Sequence, residues 1–131
     1  VFDFQRGELL LVDKPAQWSS FSVVNKLKRL VGTKIGHGGT LDPLATGLLI
    51  LATGAYTKKL TELQALPKEY TGSIFLGATT PSYDRETLPE NIISVSDLQA
   101  KDVIGAAQQL TGTILQRPPV FSAIKIDGKR A

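Results

Sequence analysis

The sequence has 131 residues, 42% of them hydrophobic and 21% charged, with 15 Lys and Arg against 12 Asp and Glu for a net charge of +3. That length points to one domain with a single core, the composition excludes wholesale disorder, and the mild positive charge suits an anionic partner without establishing one. With no cysteine there is no disulfide framework, thiolate metal site or cysteine nucleophile, and a single histidine, His37, excludes a multi-histidine metal centre.

Residues 8–12 carry an apolar run (Leu9, Leu10, Leu11, Val12) closed by Asp13, Lys14 and Pro15, which predicts a buried strand ending in a turn. Ser19 or Ser20 can cap the helix that follows. In it Val24, Leu27, Leu30 and Val31 recur at helical spacing, with Lys26, Lys28 and Arg29 on other faces and Gly32 at the end. Three glycines and a proline within 36–43 exclude regular structure there. Residues 48–52 form the second strand candidate, and 57–66 a short helix stopped by Pro67. Residues 69–76 alternate, with Tyr70, Gly72, Ile74 and Leu76 on one side, and predict a strand; 77–91 predict a loop.

Ser96 followed by Gln99 has capping-box spacing, ahead of an apolar stripe of Val103, Ile104, Ala107 and Leu110 that runs to Gly112. Residues 113–116 and 121–126 are strand candidates on either side of Arg117-Pro118-Pro119, and Asp127-Gly128 is a two-residue hairpin signal. Only Lys129, Arg130 and Ala131 follow it, so the chain is expected to stop within a domain, leaving 121–126 with an edge open to self-association. The element order predicts an α+β fold. No apolar run approaches the ~20 residues that cross a bilayer, and the start, which is not Met, lacks a secretory pattern. A cytoplasmic, processed or trimmed chain without membrane contact is expected.

Chemistry concentrates in Gly36-His37-Gly38-Gly39-Thr40-Leu41-Asp42-Pro43-Leu44-Ala45-Thr46-Gly47. A dinucleotide fingerprint starting at Gly36 would need glycine where Leu41 stands, and no Gly-Lys-Ser/Thr ending provides a P-loop. Taken alone, the segment also fits a glycine-rich turn in which Asp42 caps local backbone ahead of Pro43.

The run from Gly7 through Lys14-Pro15, the pair Ser19-Ser20, and Gly36-His37 with the stretch from Gly39 to Gly47 together resemble the first two motifs of the TruB-type tRNA pseudouridine-55 synthases. The resemblance continues in Lys68-Glu69-Tyr70, in Leu76-Gly77 with Thr80 and Asp84, and in Gln116, Pro118-Pro119 and Phe121-Ser122-Ala123-Ile124-Lys125. It implies a mixed, largely antiparallel sheet with flanking helices, with 1–131 forming part of a pseudouridine synthase catalytic domain. Three stretches depart from the usual pattern. Ala16-Gln17-Trp18 lacks the glycine common before the serine pair, Gly38 stands where threonine is usual, and Asp84 is followed by Arg85-Glu86-Thr87. The family's arginine partner of the catalytic aspartate and its C-terminal RNA-binding domain lie beyond this sequence, which implies that the chain alone turns over little or no RNA.

The resemblance implies isomerisation of uridine 55 in the T-loop of tRNA. The N1–C1′ bond breaks, the uracil turns within the pocket, and C5 rejoins C1′, without metal or cofactor. It assigns Asp42 as the catalytic carboxylate. His37 and Tyr70 would hold and stack on a base flipped out of the T-arm, a step that costs a few kcal/mol. Lys14 would support the floor of the site or meet a phosphate, with a surface turn lysine as the plain alternative. Lys26, Lys28, Arg29 and Lys34 could follow the RNA backbone or form a solvated face. Trp18 falls near the site in sequence, but a tryptophan is more often a core residue, and a core position is expected. A non-catalytic RNA-binding segment is the competing reading.

Overall fold

The computed structural model describes residues 2–115, 125–126 and 129–130, and divides into two units, Val1–Tyr70 and Thr71–Ala131. In the first unit, strands β1 (Leu9–Lys14), β2 (Ile35–His37) and β3 (Gly47–Thr53) form an antiparallel sheet in the order β1-β3-β2. Leu9 lies opposite Ala52 and Lys14 opposite Gly47, while Ile35 lies opposite Thr53 and His37 opposite Leu51. β3 takes the centre because it is the most apolar strand: Leu49, Leu51, Ala52 and Thr53 are all buried. Thr53 closes the β1 side twice, its Oγ1 accepting from the Glu8 N–H and its own N–H donating to the Glu8 carbonyl, both at 2.9 Å.

The two-residue period of a strand puts Leu10, Val12 and Lys14 on the inner face of β1 and leaves Leu9, Leu11 and Asp13 outside. Helix α1 (Ser20–Val31) covers that inner face. Ser19 caps it, its Oγ accepting from the Ser22 N–H at 3.0 Å, and the Gly32 N–H donates back to the Lys28 carbonyl at 3.0 Å. Val23 and Val24 join Leu49 and Leu51 in the core, with Leu10, Val12, Leu27, Ile35 and Leu41 packed around them. Each fully buried leucine contributes roughly 1.5–3 kcal/mol. Leu30, expected on the buried stripe, is exposed, and Val23 takes the inward place.

Residues 36–43 are not wholly irregular as expected, because Gly36 and His37 belong to β2. The strand is supplied by its partner, and the Gly38 N–H extends the ladder to the Ile50 carbonyl at 2.7 Å. Gly36 suits this edge because a Cβ there would lie 2.9 Å from Leu60 Cδ1. The predicted helix at 57–66 is a 3-10 helix, Gly54–Lys59, running into α2 (Leu60–Gln64).

Residues 69–76 are not a strand, since among the described residues none pairs with them. In the second unit, Thr79 and Glu90 exchange two backbone hydrogen bonds (2.9 and 2.8 Å) across the loop expected at 77–91. Helix α3 (Ala100–Gln109) begins three residues later than the Ser96 cap predicted. Gln99 is the capping residue, because Asp102, three positions on, accepts from its N–H at 3.0 Å, while Ser96 pairs with Ser94. The stripe of Val103, Ile104 and Leu110 is exposed, and no described residue of this unit is buried.

Residues 113–115 are not a strand. Gln116, Pro118, Pro119, the 121–124 part of the last strand candidate and the Asp127-Gly128 turn lie outside the described residues. Beyond them β4 (Lys125–Ile126) pairs antiparallel with β5 (Lys129–Arg130), Lys125 opposite Arg130 and Ile126 opposite Lys129. Among the described residues no helix is long and apolar enough to cross a membrane.

Candidate functional site

Asp42 lies in the connection between β2 and β3, and the backbone on each side of it is fixed. On the N-terminal side, the Leu41 N–H donates to Ser20 Oγ at 2.9 Å, and that same hydroxyl donates to the Leu41 carbonyl at 3.1 Å. The Leu41 side chain packs against the core below. On the C-terminal side, the Pro43 carbonyl accepts from the Gln17 N–H at 2.7 Å and from Lys14 Nζ at 3.3 Å. The Asp42 carbonyl accepts from the Ala45 N–H at 3.1 Å, turning the chain toward β3. The Asp42 carboxylate is exposed, and among the described residues it accepts no hydrogen bond. An anchored loop therefore presents a carboxylate that no described residue hydrogen-bonds.

Lys14 explains part of that anchoring. Strand alternation directs it inward at the end of β1, where it is 0% exposed. A buried ammonium is tolerated only when its donors are used. Nζ donates to the carbonyls of Trp18 (2.6 Å), Pro15 (3.0 Å) and Pro43 (3.3 Å), which accounts for all three of its protons. No donor is left over for a phosphate, and Lys14 is not a surface turn residue. Its contacts join the end of β1, the entry to α1 and the Asp42 loop. Gln17 takes a positive φ of 66°, and its N–H reaches the same Pro43 carbonyl.

His37, the last residue of β2, is half-buried and opens the connection that carries Asp42. Its Nδ1 lies 2.5 Å from the Gly39 carbonyl, and because a carbonyl only accepts, Nδ1 bears the proton. In the neutral ring this leaves Nε2 as the acceptor. Tyr70 ends the first unit and is 71% exposed, and among the described residues no hydrogen bond ties it to the Asp42 loop. Trp18 is partly exposed, held through its carbonyl rather than buried in the core.

Lys26, Lys28, Arg29 and Lys34 are exposed, with Lys28 and Arg29 in the last turn of α1. Charge divides unevenly along the chain: Val1–Tyr70 carries the net +3, while Thr71–Ala131 is neutral. Lys14, His37 and Asp42 thus gather around one connection, whereas Tyr70 is not joined to it by any described bond. Sequence reasoning missed Ser20 and Gln17 as anchors. The doubled serine was the available signal, since one hydroxyl suffices to cap α1.

A family model described as TruB family pseudouridylate synthase (N terminal domain) matches residues 27–131. The tRNA pseudouridine synthase B of Flavobacterium johnsoniae is 52% identical over 98% of this chain and 59% of its own length. Those of Phocaeicola vulgatus and Chloroherpeton thalassium are 48% and 50% identical, over 98% and 95% of this chain and 58% and 54% of theirs. The chain therefore spans between 54% and 59% of the length of these three relatives. Among solved structures, a chain from the crystal structure of a Cbf5-Nop10-Gar1 complex aligns with a TM-score of 0.60 and 28% identity. That alignment covers 93% of this chain and 32% of the other. On the family-model match over residues 27–131 and the identity to these relatives, the chain belongs to the TruB family of pseudouridylate synthases.

Proposed function

We propose that this chain forms part of the catalytic domain of a cytoplasmic isomerase that converts uridine 55 in the T-loop of tRNA to pseudouridine. Asp42 supplies the reacting carboxylate. The observation that carries this reading is the anchored, solvent-facing Asp42: both neighbouring residues are hydrogen-bonded to α1 or its entry, while no described residue hydrogen-bonds the carboxylate itself. Breaking N1–C1′ and rejoining C1′ to C5 is a balanced isomerisation, in which C5 gives up its proton and N1 gains one, with no redox change; a carboxylate can serve it as nucleophile or as base. Its effectiveness rests on orientation, which the loop supports.

The target base must leave the stack of the T-arm before the carboxylate reaches it. His37 would occupy the vacated space and hold the nucleotide, Tyr70 would stack on the uracil, and Lys14 would act beneath the loop as a structural support. The exposed Lys26, Lys28, Arg29 and Lys34 would meet the RNA backbone. The +3 carried by Val1–Tyr70 also favours the second reading, an RNA-binding segment without turnover.

Asp42→Asn in the full-length protein containing this chain separates the two. Retained affinity for a T-arm stem-loop with loss of pseudouridine formation supports catalysis by Asp42. Equal pseudouridine yield from the wild type and the variant removes that assignment, and RNA binding without turnover by either favours the second reading.

A further inference from the structure

We propose that Ser20 is a positioning residue for Asp42, acting through the peptide groups of Leu41; the inference rests on the reading that Asp42 is the reacting carboxylate. Ser20 is the first residue of α1 and is only 2% exposed. Ser19 already caps the helix, so the Ser20 hydroxyl is not needed for that task. Instead it accepts from the Leu41 N–H at 2.9 Å and donates to the Leu41 carbonyl at 3.1 Å. A hydroxyl is the smallest side-chain group that can do both at once. Binding both peptide groups of one residue fixes the backbone on either side of its Cα, and hence the direction in which the chain enters Asp42.

The geometry supports a role beyond packing. Leu41 is already held by its side chain against the core, and β3 is held by β1 and β2, so the Ser20 bonds are not required to keep the sheet together. What they do is remove freedom from the residue next to a carboxylate that no described residue hydrogen-bonds. The anchor on the far side, at Pro43, is provided by Lys14 and Gln17, so without Ser20 the loop backbone would be hydrogen-bonded to β1 and the entry of α1 on the Pro43 flank alone, with Leu41 held by side-chain packing. A carboxylate displaced by about 1 Å can lose on the order of 100-fold in rate.

The test compares Ser20→Ala, Ser20→Thr and Val24→Ala in the full-length protein containing this chain, with Asp42→Asn beside them. Single-turnover pseudouridine formation on a T-arm stem-loop, stem-loop affinity, melting temperature and Leu41 amide exchange are measured for each. Ser20→Ala is expected to slow the single-turnover rate 10- to 100-fold, with stem-loop affinity within about twofold of wild type and Leu41 exchange accelerated at least 10-fold. Ser20→Thr, which keeps the hydroxyl, is expected to recover the rate to within about threefold of wild type. Val24→Ala removes core packing from the same helix, and its rate should stay within about threefold of wild type even where its melting temperature falls as far as that of Ser20→Ala.

A Ser20→Ala rate within threefold of wild type, or a rate loss matched by Val24→Ala at equal destabilisation, overturns the proposal. So does failure of both Ser20 variants to fold, which would make the serine structural only. An Asp42→Asn protein as active as wild type would instead remove the catalytic reading, while accelerated Leu41 exchange in Ser20→Ala would still report the clamp itself.

Discussion

Lys14→Met tests whether a buried ammonium holds the entry of α1 and the Asp42 loop together. Methionine keeps most of the apolar stem and deletes the three donors. Hydrogen bonds from charged groups contribute roughly 1.5–3 kcal/mol each. The bonds to Trp18 and Pro15 (2.6 and 3.0 Å) count fully and the 3.3 Å bond to Pro43 for less, so about 4–6 kcal/mol of gross interaction is lost. Removing the charge also relieves its desolvation, which is the same reason that buried ion pairs can be replaced by apolar groups at modest net cost. The expected balance is a loss of about 3 kcal/mol, because three carbonyls are left to find water at a partly closed site. For a unit the size of Val1–Tyr70, each kcal/mol shifts melting by ~4–8 °C, so a fall of at least ~12 °C is expected. Thermal melting followed by circular dichroism reads that shift, and exchange of the Gln17 amide, which shares the Pro43 carbonyl, reads the local loosening. A variant melting within about 4 °C of wild type, with RNA affinity lowered and its salt dependence reduced by about one charge, would refute the reasoning and make Lys14 a phosphate ligand.

Gly54→Ala should destabilise the first unit by more than ~2 kcal/mol. At φ 51° its Cβ would run into the Gln5 carbonyl oxygen, and urea unfolding measures the loss. Asp84 is held below the ordinary aspartate range, first by the Ser82 hydroxyl and then by the Glu86 N–H, which approach its carboxylate at 2.6 and 2.8 Å. Because the folded value is depressed, this contribution is present above the ordinary aspartate range and is lost as pH falls through the lowered value. A carboxyl NMR titration of Asp84 should therefore show a midpoint below the ordinary aspartate range, and protection of the Glu86 amide from exchange should fall only on the acid side.

The sheet and first helix were legible where pattern and packing agree. The Leu9–Val12 run, the Ser19 cap, the Gly32 stop and the 48–52 segment each carry a local signal that the fold uses. β2 was not legible, because Gly36 and His37 have no strand preference and acquire their ladder from β3. Residues 69–76 failed the other way: they alternate like a strand but have no described neighbour to bond to. In α3 the competing carboxylate of Asp102 moved the start from Ser96 to Gln99. At the candidate site, Asp42 and His37 stood out through motif resemblance, while the anchors did not. Lysine is ordinarily a surface residue, so nothing in Asp13-Lys14-Pro15 announces a buried ammonium; only the strand period continued past Val12 would place it inside. Ser20 was hidden behind Ser19, which takes the capping role that both could have filled.

The sheet order β1-β3-β2 also has a consequence in time. Among the described residues β1 and β2 each pair only with β3, which is the last of the three to be synthesised, so a nascent chain ending before Gly47 holds these two strands and a helix without the strand that joins them. Once β3 emerges, its pairing with β2 closes the shorter loop and costs less chain entropy than recruitment of β1 from much farther back. The hairpin that encloses Asp42 is thus expected to form first, with the aspartate on a slack loop, and to become taut only when β1 docks and delivers Lys14 beneath Pro43. Acquisition of the backbone fold and maturation of the loop are then successive events, separated by the arrival of a single strand.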